Sequence, residues 1–235
     1  MPEWLAQLAN DLQGAPPAAF SRFLPPAGGG RKASAVLILI APPVATTSGH
    51  DAPSGWGPRE AAAIDALYAL PERQVSETVV LTQRAASMRS HAGQVSFPGG
   101  GKEAGDDDEI ATALREAEEE IGLEATEVSV LMSLPALHIA VSGYDVTPVL
   151  AWWHRPSRIY PRQPAEVERV LRVPIADLID PKRRFQVRHP SGYTGPAFDV
   201  QDSTVWGFTA GVLDRLLDAA RLTQPWDRTR MRDIG

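Results

Sequence analysis

Four glutamates lie close together near the middle of the 235-residue chain, at positions 116 and 118 to 120. At about 100° of rotation per residue, a helix brings Glu116, Glu119 and Glu120 onto one face and turns Glu118 away from them. Such carboxylates repel one another by roughly 0.2–0.5 kcal/mol per pair, and near a helix C-terminus they also oppose the helix dipole. A divalent cation removes this conflict, because hard ions such as Mg²⁺ prefer oxygen ligands. The alternative is a solvated acidic face, and the neighbouring sequence has to decide between the two.

A helix from Asp106 to Ile121 is predicted around these glutamates. Its apolar residues recur at helical spacing along one stripe. Asp106 followed by Glu109 forms an acidic version of a capping box, and Gly122 stands where a left-handed residue commonly ends a helix. The members of the stripe are Ile110, Ala113, Leu114, Ala117 and Ile121.

The segment from Gly101 to Leu123 resembles the Nudix box, a signature of a glycine, a loop and a helix that ends in Arg-Glu-apolar-any-Glu-Glu-any-Gly-apolar. Gly101 stands at the opening glycine. One position departs from the family, because its loop glutamate falls on Asp107 here, and this puts the role of Asp107 in doubt. The positions that match the end of the box are Arg115, Glu116, Ala117, Glu119, Glu120, Gly122 and Leu123.

The resemblance implies an α/β Nudix fold, an α/β/α sandwich with a mixed β-sheet and the box as its loop and helix. It implies that Glu116, Glu119 and Glu120 hold Mg²⁺ or Mn²⁺, helped by a backbone carbonyl around Gly100 or Gly101. Such ions neutralise a diphosphate, polarise a P–O bond and lower the pKa of a bound water, so that water attacks phosphorus.

The catalytic roles are also implied by the resemblance. Glu116 or Glu120 is expected to act as general base for the attacking water. Glu166 or Glu168, in a later loop, is the alternative base, against the plainer interpretation of both as surface residues. Arg115 is expected to orient a box glutamate through an ion pair. Contact with the substrate is the less common role at this position.

A second motif runs directly before the box, from Leu81 to Gly100. It is similar to the signature of coenzyme A pyrophosphatases, a Nudix branch in which Leu-Thr-x-Arg, a second Arg five residues on, a Gly and Phe-Pro-Gly-Gly recur at fixed spacing. Arg84 and Arg89 would supply charge for a phosphate-rich nucleotide, although ordinary salt bridges are the alternative for each. Gly99 and Gly100 would allow the backbone to approach the substrate closely.

Together the two motifs imply a metal-dependent hydrolase that cleaves coenzyme A or its thioesters. The products would be adenosine 3′,5′-bisphosphate and 4′-phosphopantetheine or its acyl derivative. One alternative is a Nudix pyrophosphatase for ADP-ribose or NADH. Another is a non-catalytic Nudix-fold module that binds a nucleotide or regulates a partner, although such a module would be expected to lose box carboxylates.

Composition limits the other function classes. A formal net charge of −6 argues against broad binding to nucleic acid, and the lack of cysteine excludes a disulfide scaffold, a thiolate metal site and a cysteine nucleophile. The longest apolar run, 35–43, is far shorter than the roughly 20 residues that span a bilayer. The first ten residues also lack the basic start and apolar core of a signal peptide. We therefore expect a cytoplasmic enzyme with a small-molecule substrate and no nucleic-acid or membrane partner, and the resemblance adds a homodimer.

The remaining patterns predict the framework around these motifs. Helices are expected at 3–12, 61–70 and 208–220, and strands at 34–41, 78–83, 128–134 and 146–153, with the first two strands paired. Strands on both sides of one central helix favour a mixed α/β sandwich. We expect an N-terminal helical extension at 1–30, a Nudix domain at 31–222 with an insertion or lid at 42–76, and a tail at 223–235.

Overall fold

The computed structural model describes residues 1–16, 24–26, 29–30, 32–43, 75–88, 92–140 and 142–234. The predicted helix 61–70, nearly all of the 42–76 insertion and the predicted substrate residue Arg89 lie outside these ranges. The described helices are α1 (Glu3–Leu12), α2 (Glu109–Ile121), α3 (Ile175–Ile179) and α4 (Gly207–Ala219).

The described strands form two sheets. The larger sheet contains β1 (Lys32–Ala41), β2 (Thr78–Arg84), β3 (Val95–Ser96), β4 (Gly99–Gly101), β5 (Val128–Ser133), β6 (Leu137–Ile139), β7 (Tyr144–Trp153) and β8 (Val167–Pro174). The smaller sheet contains β9 (Arg184–Arg188), β10 (Thr194–Val200), β11 (Ser203–Val205) and β12 (Met231–Asp233).

Strand β1 organises the larger sheet. It runs parallel to β7 from Lys32 opposite Tyr144 to Ile40 opposite Trp152, and its last seven residues are nearly all buried, as expected of a central strand. On its other side β1 has two antiparallel neighbours in succession. Strand β2 meets only its last two residues, whereas β4 pairs with residues 34–36. The separation of β2 from β1 therefore makes room for β4, the strand that begins the box.

Helices cover both faces of the larger sheet. Alternate residues of β1 such as Leu37 and Leu39 pack with Ala113 and Ala117 of α2 in one core. The intervening Ile38 and Ile40 belong to a second core, which contains side chains from α1 and α4. This arrangement confirms the predicted α/β fold, a mixed sheet between two helical layers.

Most of the predicted elements are confirmed, with boundaries shifted by one or two residues. The predicted cap of the box helix is wrong: α2 begins after Asp108, whose carboxylate accepts a hydrogen bond from the amide of Ala111 at 2.8 Å. Asp106 is instead bound to an arginine side chain of the helix. Gly122 has the expected left-handed conformation, with φ 72°.

The smaller sheet was not predicted. Its strand β12 lies within the segment 223–235 and runs parallel to β9, with Met231 opposite Gln186. At the other terminus, Leu5 and Leu8 of α1 are buried in the core shared with α4. The division into 1–30, 31–222 and 223–235 remains a prediction. Across the described ranges, no helix has both the length and the apolar character needed to cross a membrane.

Candidate active site

Two glycines of β4 bring the backbone close to the glutamates of α2. A Cβ atom on Gly100 would lie 2.6 Å from Oε2 of Glu116 and closer still to Oε1, so a side chain here would displace the carboxylate. Gly99 has φ +152°, and a Cβ on it would lie 2.6 Å from Cα of Val36. Both positions therefore require glycine, one for the carboxylate and one for the sheet.

Glu120 is the most deeply buried of the box glutamates, at 5% exposure. Its Oε2 accepts a hydrogen bond of 3.1 Å from the amide of Gly99. Burial raises the pKa of Glu120 to about 7, and the negative charges of Glu116 and Glu166 act in the same direction, whereas Arg84 opposes them. The chain thus holds a carboxyl group that is costly to ionise unless a positive charge joins it.

Glu116 and Glu119 differ in exposure. The side chain of Glu116 is 17% exposed and that of Glu119 is 47% exposed. Burial raises the pKa of Glu116, and Arg115 partly offsets this effect. Glu118 is exposed, as Glu119 is. The three predicted ligands therefore line one side of α2, with Glu116 and Glu120 turned toward β4 and Glu119 toward solvent.

Arg115 is the centre of the hydrogen bonds that hold this region together. Its Nη1 donates to Glu119 at 3.3 Å, and its Nη2 donates to Glu116 at 3.2 Å and to the carbonyl oxygen of Gly101 at 2.9 Å. These contacts link Arg115 to two box glutamates and to β4, and its role in orienting them stays a prediction. The predicted ligand carbonyl of Gly101 accepts a hydrogen bond from Arg115 in this arrangement.

The loop acid that contacts Arg115 is Asp106. Its two oxygens accept hydrogen bonds from Nε and Nη2 of Arg115 at 2.9 and 3.0 Å, and Oδ2 also accepts from the hydroxyl of Thr112 and the amide of Glu103. These bonds hold the pKa of Asp106 well below its usual range. Asp107, which stands at the family's glutamate position, is exposed. Local sequence carries no signal that separates the two aspartates.

The chemistry of the oxygen donors fits a divalent cation. Glu120 is a buried carboxylate with a raised pKa, and two more glutamates stand on the same side of α2. In the arrangement seen here, no three His, Asp or Glu side chains among the described residues are placed to hold one metal ion together. Arg115 binds both Glu116 and Glu119 instead. The ligand set Glu116, Glu119 and Glu120 therefore remains a proposal that requires these carboxylates to turn from Arg115 toward the ion.

The upstream motif folds against the same carboxylates. Arg84 ends β2, where its amide bonds to the carbonyl of Gln94 at 2.9 Å, and its charge is close enough to lower the pKa of Glu120. Its Nε is buried and has no hydrogen-bond partner in the described structure. Of the predicted substrate residues, Arg84, Gly99 and Gly100 thus lie next to the box helix.

The loop between β7 and β8 also reaches the site. Its backbone is fixed by bonds from the amide of Arg162 to the carbonyl of Glu120 at 2.9 Å and from the amide of Ala85 to the carbonyl of Glu166 at 2.8 Å. The charge of Glu166 raises the pKa of Glu120, whereas that of Glu168 is not among the leading influences on it. The role of either glutamate as the base stays a prediction.

Oxygen ligands, a buried carboxyl group and neighbouring arginines suit a cation-assisted hydrolase of phosphoanhydrides. A model of the NUDIX domain matches residues 61–192, more than half of the chain. The chain is 38% identical over 147 residues to an uncharacterized Nudix hydrolase NudL of Photorhabdus laumondii, covering 59% of this chain and 75% of that relative. It is 36% identical over 147 residues to the Escherichia coli (strain K12) protein of the same name, covering 61% and 76%.

Solved structures of Nudix proteins also align with the chain. A Nudix hydrolase from M. smegmatis, RenU, aligns over 87% of this chain and 98% of its own, with 18% identity and a TM-score of 0.49. The NUDIX domain of Shewanella oneidensis NrtR, solved in complex with ADP ribose, covers 76% and 86%, with 18% identity and a TM-score of 0.39.

The chain belongs to the Nudix family, as its box predicted. Nudix hydrolases are pyrophosphohydrolases of nucleoside diphosphate derivatives and generally use divalent metal ions, and this chain is an enzyme of that class.

Proposed function

We propose that the chain hydrolyses the pyrophosphate linkage of coenzyme A or its thioesters, giving adenosine 3′,5′-bisphosphate and 4′-phosphopantetheine or its acyl derivative. The observation that carries this proposal is the position of Arg84. The coenzyme A motif of 81–100 forms β2, β3 and β4, and so brings this arginine beside Glu120 with a buried Nε still free of described partners. A guanidinium with unused donors suits a substrate with an additional phosphate.

The proposed roles follow from the contacts of each side chain. Glu116, Glu119 and Glu120 would hold Mg²⁺ or Mn²⁺, which when bound would neutralise the diphosphate and lower the pKa of water. Arg115 would orient Glu116 and Glu119 through its ion pairs, and Arg84 would bind a substrate phosphate, with Arg89 as a second contact. Glu116 or Glu120 would accept the proton of the attacking water, with Glu166 as the alternative base.

The substrate assignment is tested by chromatography of the products after incubation with Mg²⁺ or Mn²⁺. Coenzyme A, an acyl thioester, ADP-ribose and NADH are compared at equal concentrations. We expect adenosine 3′,5′-bisphosphate from the first two substrates. Cleavage of ADP-ribose or NADH while coenzyme A survives would make the substrate assignment wrong and favour the other Nudix pyrophosphatases.

The metal and catalytic assignment is tested by Glu120→Gln, which removes a ligand charge at nearly constant volume. We expect kcat to fall at least about a thousandfold, because several kcal/mol of transition-state stabilisation are lost. Glu124→Gln is the matched control, because Glu124 is an exposed glutamate just after the same helix, and it should keep full activity. Full activity in the Glu120 variant would refute the metal and catalytic assignment of this glutamate.

A further inference from the structure

We propose that the cleft between α2 and the loop 154–166 binds the nucleoside half of the substrate, with Tyr160 stacking on the base and Arg162 contacting a phosphate. This inference rests on the proposed function in one respect, since it takes the substrate to be a nucleoside diphosphate derivative. The loop that carries Tyr160 and Arg162 lies outside both sequence motifs, so neither of them assigns these two residues a role.

The cleft has a volume of about 440 Å³, within the roughly 300–1,000 Å³ typical of small-molecule sites. It borders the proposed ligand Glu119, so a group bound in it lies next to the diphosphate. Its lining is polar and carries charges of both signs, which suits a ligand with hydrogen-bonding edges and a phosphate. The lining residues are Arg115, Glu118, Glu119, Arg162 and Gln163.

The loop is held firmly against the C-terminal end of α2. The amide of Tyr160 donates to the carbonyl oxygen of Ile121 at 3.1 Å. The amide of Arg162 donates to the carbonyl oxygen of Glu120 at 2.9 Å. Both side chains lie beside Gly122: a Cβ atom there would stand 3.2 Å from Cδ of Arg162 and 3.7 Å from Cε1 of Tyr160. The ring of Tyr160 therefore stands at the edge of the cleft, beside the aliphatic part of the Arg162 side chain that lines it.

Tyr160 has the features of a stacking residue. It is 52% exposed although its backbone is fixed, whereas the other aromatic side chains on this side of the sheet, such as Trp153, are buried in the core. An exposed ring on an ordered loop can cover the face of a base with little loss of conformational freedom, and such stacking tolerates any base.

The guanidinium of Arg162 keeps N–H donors that are not engaged in ion pairs, unlike that of Arg115. A guanidinium has five N–H groups, and Arg162 uses its Nη1 on the carbonyl oxygen of Glu118 at 3.2 Å. It makes no ion pair in the described parts of the chain, whereas Arg115 binds Asp106, Glu116 and Glu119. The remaining donors of Arg162 can bind a phosphate, and the amide of Gln163 offers both a donor and an acceptor to a base edge.

The test compares how the two halves of the product bind. Isothermal titration calorimetry in Mg²⁺ measures the Kd of adenosine 3′,5′-bisphosphate and of 4′-phosphopantetheine. Tyr160→Ala should weaken binding of the nucleotide about tenfold and leave that of 4′-phosphopantetheine unchanged, while Tyr160→Phe restores it because stacking needs only the ring. Arg162→Ala should give the same selective loss. The matched control is Arg158→Ala, an exposed arginine of the same loop, which should change neither Kd.

Steady-state kinetics give a second measurement, in which Tyr160→Ala raises KM while kcat is retained. Unchanged nucleotide binding in Tyr160→Ala, or an equal loss for both halves, overturns the inference. If the enzyme cleaves ADP-ribose and not coenzyme A, the proposed substrate is wrong, but the same variants still test the subsite with AMP as the probe. Selective loss of AMP binding then supports the subsite, and unchanged AMP binding overturns it.

Discussion

Glu120 in the box helix and Arg184 in the smaller sheet are both charged groups that the fold buries, at 5% and 0% exposure, but their surroundings differ. Arg184 is paired with Asp214 of α4, and its guanidinium lies 5.1 Å from the ring of Phe198 and 4.8 Å from the ring of Trp226. Its charge is therefore paired with a carboxylate of this chain, whereas its Nε and Nη1 are buried without a hydrogen-bond partner among the described residues.

Glu120 has no such compensation. It receives one hydrogen bond from a backbone amide, and Glu116 and Glu166 add to the effect of burial in raising its pKa. Arg84 opposes them without cancelling their effect. One buried charge is thus paired with a carboxylate of the chain and the other is not, and under the proposed function a metal ion would neutralise the second. The first should matter for stability and the second for activity.

The largest stability effect is expected from Arg184→Ala. It leaves Asp214, whose side chain is only 14% exposed, without its partner, so the free energy of unfolding should fall by about 3–5 kcal/mol. The kcat of the folded fraction should not change. Urea denaturation followed by activity of the folded protein measures both quantities.

Arg188→Ala is the matched control for this change, because Arg188 lies in the same strand, is exposed, and stands 3.9 Å from Asp233. Its loss should cost less than about 1 kcal/mol. Equal destabilisation by the two variants would contradict the distinction between a buried pair and a surface pair.

The pH dependence of the free energy of unfolding tests the contribution of Glu120. The pKa of Glu120 rises from its usual value near 4.5 to about 7 on folding, so between these values the folded metal-free protein holds a proton that the unfolded chain releases. The stabilisation from this group is complete below about pH 4.5 and is lost as pH rises toward 7, a change of up to about 3 kcal/mol.

Glu120→Gln removes this titration. The variant should therefore gain stability relative to the unchanged protein as pH rises across that interval, measured by urea denaturation in the presence of a chelator. Parallel pH profiles for the two proteins would show that the carboxyl is not held in its neutral form by the fold.

Gly100→Ala sharpens the comparison by moving a carboxylate without changing any charge. The added Cβ would overlap the carboxylate of Glu116, and a misplaced catalytic group costs about a hundredfold in rate. Gly105→Ala adds the same atom in the loop before α2, where no atom lies within 4 Å, and should leave kcat nearly unchanged. If both variants keep full activity, the position of Glu116 does not limit turnover.

The sequence could predict the box helix because its information is local. Apolar spacing and the run of glutamates identified the side of α2 that carries Glu116 and Glu120. The smaller sheet could not be predicted in the same way. Strand β9 begins with a fully buried arginine, and the residues that make this burial tolerable, Asp214 and Trp226, lie far along the chain. A pattern that treats arginine as exposed therefore assigns this strand to the surface.

The contacts between the loop and the helix could not be predicted from the sequence for a related reason. Three consecutive aspartates, at 106 to 108, have the same chemistry, and only the path of the loop decides that Asp106 binds Arg115 and that Asp108 caps the helix. Family spacing pointed to Asp107 instead. The two positions are adjacent, but the carboxylate that binds Arg115 is that of Asp106 and not that of Asp107.

Asparagine substitutions at positions 106 and 107 distinguish the roles of these neighbouring aspartates. Asp106→Asn removes the charge that binds Nε and Nη2 of Arg115, so Arg115 should hold Glu116 and Glu119 less firmly. Loss of such an orienting contact costs about 10–100-fold in activity or metal affinity, and we expect kcat to fall toward the lower end because Asn keeps one acceptor oxygen. Asp107→Asn, at an exposed position, should change kcat little. The two variants are compared over a titration with Mn²⁺, and a greater loss in Asp107→Asn would mean that the family's loop position, and not the observed ion pair, supports the site.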